Sequence, residues 1–189
     1  MSQRDSGYAR EVKDAYQTPY WATRALLPFL PKRVSSTRKG IHGVWECAAG
    51  EGKMADELFN KGYAVLATDI QGRPPTDFLQ QTKMLTLSAH IITNPPYDHA
   101  REFIEHALRL TRKTRGVVAM LLRTDYDHAK TRAHLFKDCP QFAKKVVLTK
   151  RIVWFEDTKA TASPSFNHAW FIWDWRNTAK PVIEYYVES

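Results

Sequence analysis

The chain has 189 residues, of which 43% are hydrophobic and 12% aromatic, so it is long enough for one domain with a substantial core. It contains no run of about 18 apolar residues, and its polar start lacks the apolar centre of a signal peptide. We therefore expect a single cytoplasmic domain over 1–189, with a mobile N-terminal segment over 1–15 and no membrane contact. The two cysteines, Cys47 and Cys139, exclude a disulfide framework, and without a Cys-x-x-Cys or His-x-x-x-His pair we expect no metal site.

The charge of the chain favours a polyanionic partner. Lys and Arg number 28 against 20 Asp and Glu, which gives a formal net charge of +8. A first basic cluster comprises Arg24, Lys32, Arg33, Arg38 and Lys39. A second, longer basic run comprises Arg109, Arg112, Lys113, Arg115, Arg123, Lys130, Arg132, Lys137, Lys144, Lys145, Lys150 and Arg151. Phosphate backbones match such a surface, so nucleic acid is the expected partner, although soluble basic proteins without one are also common.

The first predicted elements surround a turn of small residues. Thr18 can cap a helix over 20–30 with Pro19 at its first position, and Pro31 ends it. A strand over 41–47 is followed by the small-residue turn 48–52 and a helix over 53–60, whose apolar face includes Phe59. Glycines that open a helix let its backbone approach a ligand closely, which is typical of nucleotide-binding turns.

The next strand, 64–68, ends in Asp69, and a carboxylate in this position can accept from both hydroxyls of a ribose. The apolar run 89–93 then stops at Asn94-Pro95-Pro96-Tyr97, because neither proline can donate a ladder hydrogen bond. A polar amide and an aromatic ring are thus held at the carboxyl end of a strand. In open α/β sheets, ligands bind at that edge.

The remaining elements continue the α/β alternation and then change to adjacent strands. Helices are predicted over 98–113 and 126–137, and strands over 116–122, 146–148, 152–155, 166–173 and 180–186, the last as an edge strand. The strand 116–122 is apolar throughout, as expected for a parallel sheet covered on both faces. The sequence therefore predicts an α/β, Rossmann-like fold.

The order of these motifs resembles that of class I S-adenosylmethionine-dependent amino-methyltransferases, chiefly the N6-adenine enzymes. Thr18-Pro19, Glu46-x-x-x-Gly50-x-Gly52, Asp69, Asp77-Phe78 and Asn94-Pro-Pro-Tyr97 follow in the gamma arrangement, without a separate target-recognition domain. The resemblance implies a mostly parallel, seven-stranded sheet with one reversed strand and helices on both faces. It also implies S-adenosyl-L-methionine as cofactor and adenine in nucleic acid as substrate, with DNA favoured over RNA.

The resemblance also implies roles for individual residues. Thr18, Pro19 and Glu46 would lie at the methionine end of the cofactor, and the Ala48, Gly50 and Gly52 backbone would pass along it. Asp69 and Ile70 would meet its ribose, and Asp77 and Phe78 its adenine. Asn94 and Pro95 would accept hydrogen bonds from the target amine, with Pro96 fixing the turn and Tyr97 stacking on the base. Phe155 or Phe166 is a candidate second wall, although both are equally typical of a core.

Other protein classes are also consistent with these motifs. An RNA adenine methyltransferase and a protein glutamine N5-methyltransferase use the same chemistry, and a nucleic-acid-binding module could keep the fold without turnover. The late tryptophans Trp154, Trp170, Trp173 and Trp175 are more typical of a core than of base stacking, and His168 is more typical of a satisfied structural histidine. We assign Cys47 no catalytic role.

Overall fold

The structure, a computed structural model, describes residues 16–31, 43–85, 88–154 and 166–187. Its strands are β1 (Gly43–Glu46), β2 (Val65–Ala67), β3 (Ser88–Thr93), β4 (Val117–Arg123), β5 (Phe142–Leu148), β6 (His168–Asp174) and β7 (Val182–Tyr186). Its α-helices are α1 (Tyr20–Leu26), α2 (Lys53–Asn60) and α3 (Ala100–Thr111). The predicted mobile segment 1–15, most of the first basic cluster and Phe155 lie outside the described residues.

The seven strands form one sheet in the order β2-β1-β3-β4-β6-β5-β7. Strand β6 is antiparallel to both of its neighbours, β4 and β5, whereas the other paired strands are parallel. This confirms the predicted mostly parallel sheet with one reversed strand. It also confirms β7 as an edge strand, since β7 pairs only with β5 among the described residues.

Helices cover both faces of the sheet. Apolar residues of α1 and α2 pack on one face, and those of α3 pack on the other together with Leu135 and Phe136. Strand β4 is buried from Val117 to Leu122, because a strand in the middle of a sheet with two covered faces exposes neither side. Burial of this continuous apolar run stabilises the centre of the sheet.

Trp170 and Trp173 are fully buried, which confirms their assignment to the core. Each indole satisfies its N–H on a backbone carbonyl: Trp170 Nε1 donates to Ala22 O and Trp173 Nε1 donates to Leu135 O, both at 2.7 Å. Because these two residues are three positions apart on β6, they lie on opposite faces of the sheet and tie α1 to one face and the segment around Leu135 to the other.

Two predicted boundaries of the first helix and one predicted burial in the second are wrong. The N-cap of α1 is Pro19 rather than Thr18, and its carbonyl accepts from the amides of Ala22 and Thr23. The α-helix ends at Leu26 in a 3-10 turn, because Pro28 cannot donate to the preceding helical turn. Phe59, expected on the buried face of α2, is 68% exposed.

Two later predictions are also wrong. The predicted helix 126–137 consists of two 3-10 segments, Tyr126–His128 and Lys130–Leu135, because Asp127 is drawn into an ion pair with Lys145 of β5. The described part of the predicted strand 152–155 is not in the sheet. Its apolar pattern has a different cause, since Ile152 is buried in the core with α1 and Trp154 packs on other rings. No helix among the described residues combines the length and hydropathy needed to cross a bilayer.

Candidate active site

The candidate site begins where two neighbouring parallel strands end. Strand β1 ends at Glu46 and β3 ends at Thr93, and because the strands are parallel both ends lie at the same edge of the sheet. The hydroxyl of Thr93 donates a short hydrogen bond to Oε1 of Glu46, which joins the two strands. The Ala48 amide donates to the same oxygen at 3.3 Å.

Glu46 is 1% exposed, and its second oxygen, Oε2, is buried without a hydrogen-bond partner among the described residues. Burial raises the pKa of this carboxyl to about 8, because desolvation disfavours the charged form more than the bonds from Thr93 and Ala48 favour it. A donor or a cation next to Oε2 would therefore be strongly favoured. This is the position where the resemblance places the charged methionine end of the cofactor.

The turn after β1 is held open by two glycines and one carboxylate. Gly50 and Gly52 have φ values of +53° and +92°, in a backbone region that residues other than glycine rarely adopt. Asp69, after β2, accepts from the Gly50 amide at 2.8 Å through Oδ2 and from the Gln71 amide at 2.8 Å through Oδ1. Asp69 thus fixes the turn. Each of its oxygens keeps a second lone pair for the predicted contact with ribose hydroxyls.

The segment 16–19 crosses this turn. A Cβ atom added at Gly50 would lie 2.2 Å from Nε2 of Gln17, so the glutamine side chain packs directly on the glycine backbone. Thr18 is buried at 4% exposure and Pro19 is also buried. The predicted Thr-Pro element and the glycine turn are therefore neighbours, as their implied roles require.

Asp77 and Phe78, the two residues predicted to bind adenine, have different positions in the structure. Asp77 caps a 3-10 turn by accepting from the Leu79 amide at 2.9 Å. Phe78 is only 2% exposed, and its ring contacts those of Trp45, Phe103 and His106 at centroid distances of 5.2, 4.9 and 4.7 Å. This packing places Phe78 in the core and leaves almost none of the ring open to a ligand. Ile70, in contrast, is 63% exposed.

Asn94 is oriented by a residue that sequence reasoning did not select. Its Nδ2 donates to the backbone carbonyl of Tyr16 at 3.2 Å, which fixes the amide with Oδ1 on the other side. Oδ1 is buried and has no hydrogen-bond partner among the described residues. Pro95 is buried and Pro96 half-buried beside it. The strand end therefore presents an oriented, unused carbonyl oxygen.

Four aromatic rings contact one another in a series that begins at Tyr97 and ends at Tyr16. The centroid of Tyr97 lies 6.3 Å from that of His168, His168 lies 5.1 Å from Trp154, and Trp154 lies 5.5 Å from Tyr16. Because the Tyr16 carbonyl also accepts from Asn94, these contacts lead back to the Asn-Pro-Pro-Tyr segment that contains Tyr97. We call Tyr16, Tyr97, Trp154 and His168 the aromatic circuit. Sequence reasoning missed Tyr16 and interpreted Trp154 and His168 as structural, although His168 begins β6 at the carboxyl edge.

The candidate second walls have other placements. Phe155 is outside the described residues, and the Phe166 ring lies under the Arg123 guanidinium, 3.9 Å from its centroid. Arg123 also pairs with Asp125 at 2.8 Å. Phe166 thus holds a cation beside the site, and stacking of a base on it stays a prediction.

The second basic run is divided between the two edges of the sheet. Arg112, Lys113 and Arg115 precede β4 and so lie at its amino edge, whereas Lys150 and Arg151 follow β5 at the carboxyl edge. Lys150 lies 5.1 Å from the centroid of the Trp21 ring, and Arg151 Nε donates to Oδ1 of Asn167 at 3.1 Å. These two cations therefore lie at the same edge as the site, as does Arg123 at the end of β4.

Comparison with solved structures shows which known fold this sheet has. No protein-family model and no curated protein sequence matches the chain. Among solved structures, a Listeria monocytogenes protein assigned to the class I S-adenosylmethionine-dependent methyltransferases has 14% sequence identity and a TM-score of 0.61, over 94% of this chain and 67% of that one. At this identity the likeness shows the fold, and the sheet described above is that of class I methyltransferases.

Two other solved structures are less similar. The 23S rRNA methyltransferase ErmE has 16% identity and a TM-score of 0.47, over 93% of this chain and 71% of its own. A predicted O-methyltransferase from Agrobacterium tumefaciens has 11% identity and a TM-score of 0.45, over 89% and 86%. Neither likeness is close enough to support a conclusion.

Proposed function

We propose that this protein transfers a methyl group from S-adenosyl-L-methionine to the exocyclic N6 amine of adenine in nucleic acid, with DNA favoured over RNA. The observation that carries the proposal is the orientation of Asn94. Its amide donates to Tyr16 O at 3.2 Å and leaves Oδ1 buried without a partner among the described residues, at the strand end next to Glu46. An amine that donates to Oδ1 would satisfy this oxygen.

The chemistry explains why an oriented acceptor is useful. The lone pair of an exocyclic amine is delocalised into the ring, so its nitrogen is a poor nucleophile. Two acceptors, Asn94 Oδ1 and the backbone oxygen of Pro95, would hold the two N–H bonds and favour a pyramidal nitrogen with its lone pair free. No strong base is needed, because the amine is not deprotonated before transfer. Orientation and electrostatic complementarity supply the catalysis.

The residues around the glycine turn fit the proposed cofactor. Glu46 Oε2 is a buried acceptor that would bind a cationic group, and the backbone at Gly50 and Gly52 allows close approach. Asp69 would accept from the ribose hydroxyls. The cofactor supplies an electrophilic methyl group and leaves as a neutral thioether, while the surplus proton of the amine passes to water.

The aromatic circuit supports a planar substrate. Tyr97 would stack on a base that has left its helix or that belongs to a single strand. Trp154 and His168 would limit the space around that base, and Lys150 and Arg151 would meet the phosphates on either side of it. A glutamine side chain would leave the stacking surface of the circuit unused, which is why we favour nucleic acid over protein.

The experiment that tests this function is transfer of labelled methyl from S-adenosylmethionine to separate DNA, RNA and protein pools, followed by nucleoside and amino-acid analysis. We expect label in N6-methyl-2′-deoxyadenosine from DNA, formed faster than N6-methyladenosine from RNA. Label in N5-methylglutamine would assign the chain to protein methylation instead. Binding of nucleic acid without any transfer would identify a binding module, and failure to bind the cofactor in calorimetry would reject the proposed enzyme class.

A further inference from the structure

His168 has an unusual position for a buried histidine. It is the first residue of the reversed strand β6 and pairs with Arg123 at the end of β4, so it lies at the carboxyl edge with Asn94. Its side chain is 2% exposed, and its ring is a member of the aromatic circuit between Tyr97 and Trp154. The reversal of β6 is what brings the start of this strand to the edge where the other strands end.

The fold leaves one nitrogen of the His168 imidazole without a hydrogen-bond partner among the described residues. This nitrogen, Nδ1, is buried, which costs free energy that a phenyl ring of similar shape would not. Burial, reinforced by the Arg123 charge, lowers the pKa of His168 to about 4. The ring is therefore neutral at physiological pH and can offer one donor and one acceptor rather than a charge.

We propose that His168 is a specificity-determining residue, and that Nδ1, in the tautomer that carries its proton, donates a hydrogen bond to a ring nitrogen of the target base. This inference rests on the proposed function and refines it. Tyr97 can stack on any base, and Asn94 can accept from any amine, so neither distinguishes adenine from cytosine or from a glutamine amide. A directed donor between them would exclude a glutamine amide, which has no ring nitrogen and so leaves Nδ1 unpaired. If the donor bonds to N7, it would exclude cytosine as well, because C5 of cytosine has no lone pair, whereas N3 of cytosine lies beside its amine as N1 does in adenine.

The test combines substrate analogues with two variants. Oligonucleotides that contain 1-deazaadenine or 7-deazaadenine keep the exocyclic amine but each lack one ring nitrogen. With the wild-type protein, we expect one analogue to lose about ten- to hundredfold in kcat/KM relative to adenine. His168→Phe should lose a similar factor on adenine and show no further loss on that analogue. His168→Asn, whose amide lies near the position of Nδ1, should recover part of the adenine activity.

A matched control separates recognition from stability. His90 is also a buried histidine on a strand of the sheet, but its Nδ1 accepts from the Val117 amide at 2.9 Å near the amino edge. His90→Phe should lower thermal stability and leave the preference among adenine and its analogues unchanged. The cofactor affinity of all these variants, measured by calorimetry, should equal that of the wild type.

Three outcomes would overturn the inference. Equal use of adenine and both analogues by the wild-type protein would show that no ring nitrogen is read, and this holds even if His168→Phe fails to fold. An identical loss by His168→Phe on adenine and on both analogues would assign the residue a structural role. If the wild type methylates no nucleobase, the proposed function fails and the inference fails with it, whereas either of the first two results leaves the proposed function intact.

Discussion

Two sets of polar side chains, one near each edge of the sheet, differ in their hydrogen bonds. Near the amino edge His90 Nδ1 accepts from the Val117 amide, and Trp175 Nε1 donates to Thr111 Oγ1 at 3.0 Å. At the carboxyl edge Glu46 Oε2, Asn94 Oδ1 and His168 Nδ1 are buried without partners among the described residues. The bonds of the first set stabilise the fold. The three unpartnered atoms of the second set lower its stability, and a ligand that bonds to them would offset that loss.

The presence or absence of a hydrogen-bond partner at a buried polar atom says more about a binding site than the burial of that atom does. Buried polar groups in folded proteins are normally hydrogen-bonded, so a cluster of unused acceptors and donors at the ligand-binding edge of an α/β sheet indicates preorganisation. The orienting bonds support the same conclusion, because Asn94 and Glu46 each have one polar atom fixed by the protein and one left over. Substitutions at the two edges should therefore affect different observables.

The largest expected effect is on turnover at the carboxyl edge. Asn94→Ala removes the oriented oxygen and should lower kcat by a factor of roughly 10²–10³, the scale found when a single oxyanion-hole donor is lost. Cofactor affinity should change little, since this side chain bonds to the Tyr16 carbonyl and not to the glycine turn. Single-turnover methyl transfer and calorimetry measure the two quantities. Normal turnover in this variant would mean that Asn-Pro-Pro-Tyr forms only a rigid turn and has no catalytic role.

The matching substitution at the amino edge is Trp175→Phe, which removes the bond to Thr111 and keeps an aromatic ring. It should lower the melting temperature by a few degrees and leave kcat unchanged, because a neutral hydrogen bond contributes about 0.5–1.5 kcal/mol. Loss of activity at constant stability in this variant would contradict the contrast between the edges.

A second prediction concerns the pH dependence of stability in the cofactor-free protein. The pKa of Glu46 is raised from 4.5 to about 8 in the folded state, so between these values the folded chain holds a proton that the unfolded chain has released. Stability due to this group is fully present below about pH 4.5 and falls as pH rises toward 8, by at most about 1.4 kcal/mol per pH unit.

Glu46→Gln should lack this fall, because its amide is neutral at every pH and can still accept from Thr93 through its oxygen. The melting temperature of the variant should therefore exceed that of the wild type by more at pH 8 than at pH 5. Parallel melting curves across this range would show that Glu46 is ionised in the folded protein. Cofactor binding should be weaker in the variant at pH 8.

A third prediction concerns capture of the base. Tyr97→Ala should raise KM for the nucleic acid about ten- to hundredfold, since stacking contributes about 1–3 kcal/mol per base, with a smaller change in kcat. Tyr97→Phe keeps the ring that packs beside His168 and should retain most activity. A phenylalanine variant as impaired as the alanine variant would assign the role to the hydroxyl rather than the ring.

Local patterns predicted the fold and the strand ends that form the site. The apolar run before Asn94, the glycine turn after Glu46 and Asp69 after β2 are all contiguous in sequence, and each feature depends on neighbours within a few residues. The seven-stranded, mostly parallel sheet with one reversed strand came from the family resemblance, and the structure confirms it. Periodicity also found the helices that pack on the sheet, although Pro28 shortens the first.

Contacts between distant segments could not be predicted in this way. The bond from Asn94 to Tyr16 spans 78 residues, and the aromatic circuit joins positions from 16 to 168. Asp-Phe at 77–78 has the expected order, yet the Phe78 ring packs into the core with Trp45 and Phe103. The segment 126–137 has helical periodicity, but it forms two 3-10 segments, and Asp127 in the first of them makes a long-range ion pair with Lys145. In each case a tertiary contact decides the outcome.

The smallest expected effect tests how the basic residues are divided between the edges. Lys144 and Lys145 are unsuitable for this test, because Lys144 pairs with Glu184 at 3.1 Å and Lys145 pairs with Asp127 at 2.9 Å with 11% of its side chain exposed. The double variant Lys150→Gln, Arg151→Gln instead changes cations at the carboxyl edge. The double variant Arg112→Gln, Lys113→Gln changes the same number at the amino edge and is its control.

The carboxyl-edge variant should bind DNA of every sequence several-fold more weakly. Plotted as log affinity against log salt, its slope should be shallower by up to about 2, because each phosphate contact contributes about 0.9 to that slope on B-DNA. The amino-edge variant should keep both the affinity and the slope of the wild type. Equal losses in the two variants would mean that net charge alone attracts the polyanion, and the path of the nucleic acid would then not be confined to the edge that carries Asn94. Binding that does not depend on salt would favour a protein substrate, since phosphate neutralisation would then contribute nothing.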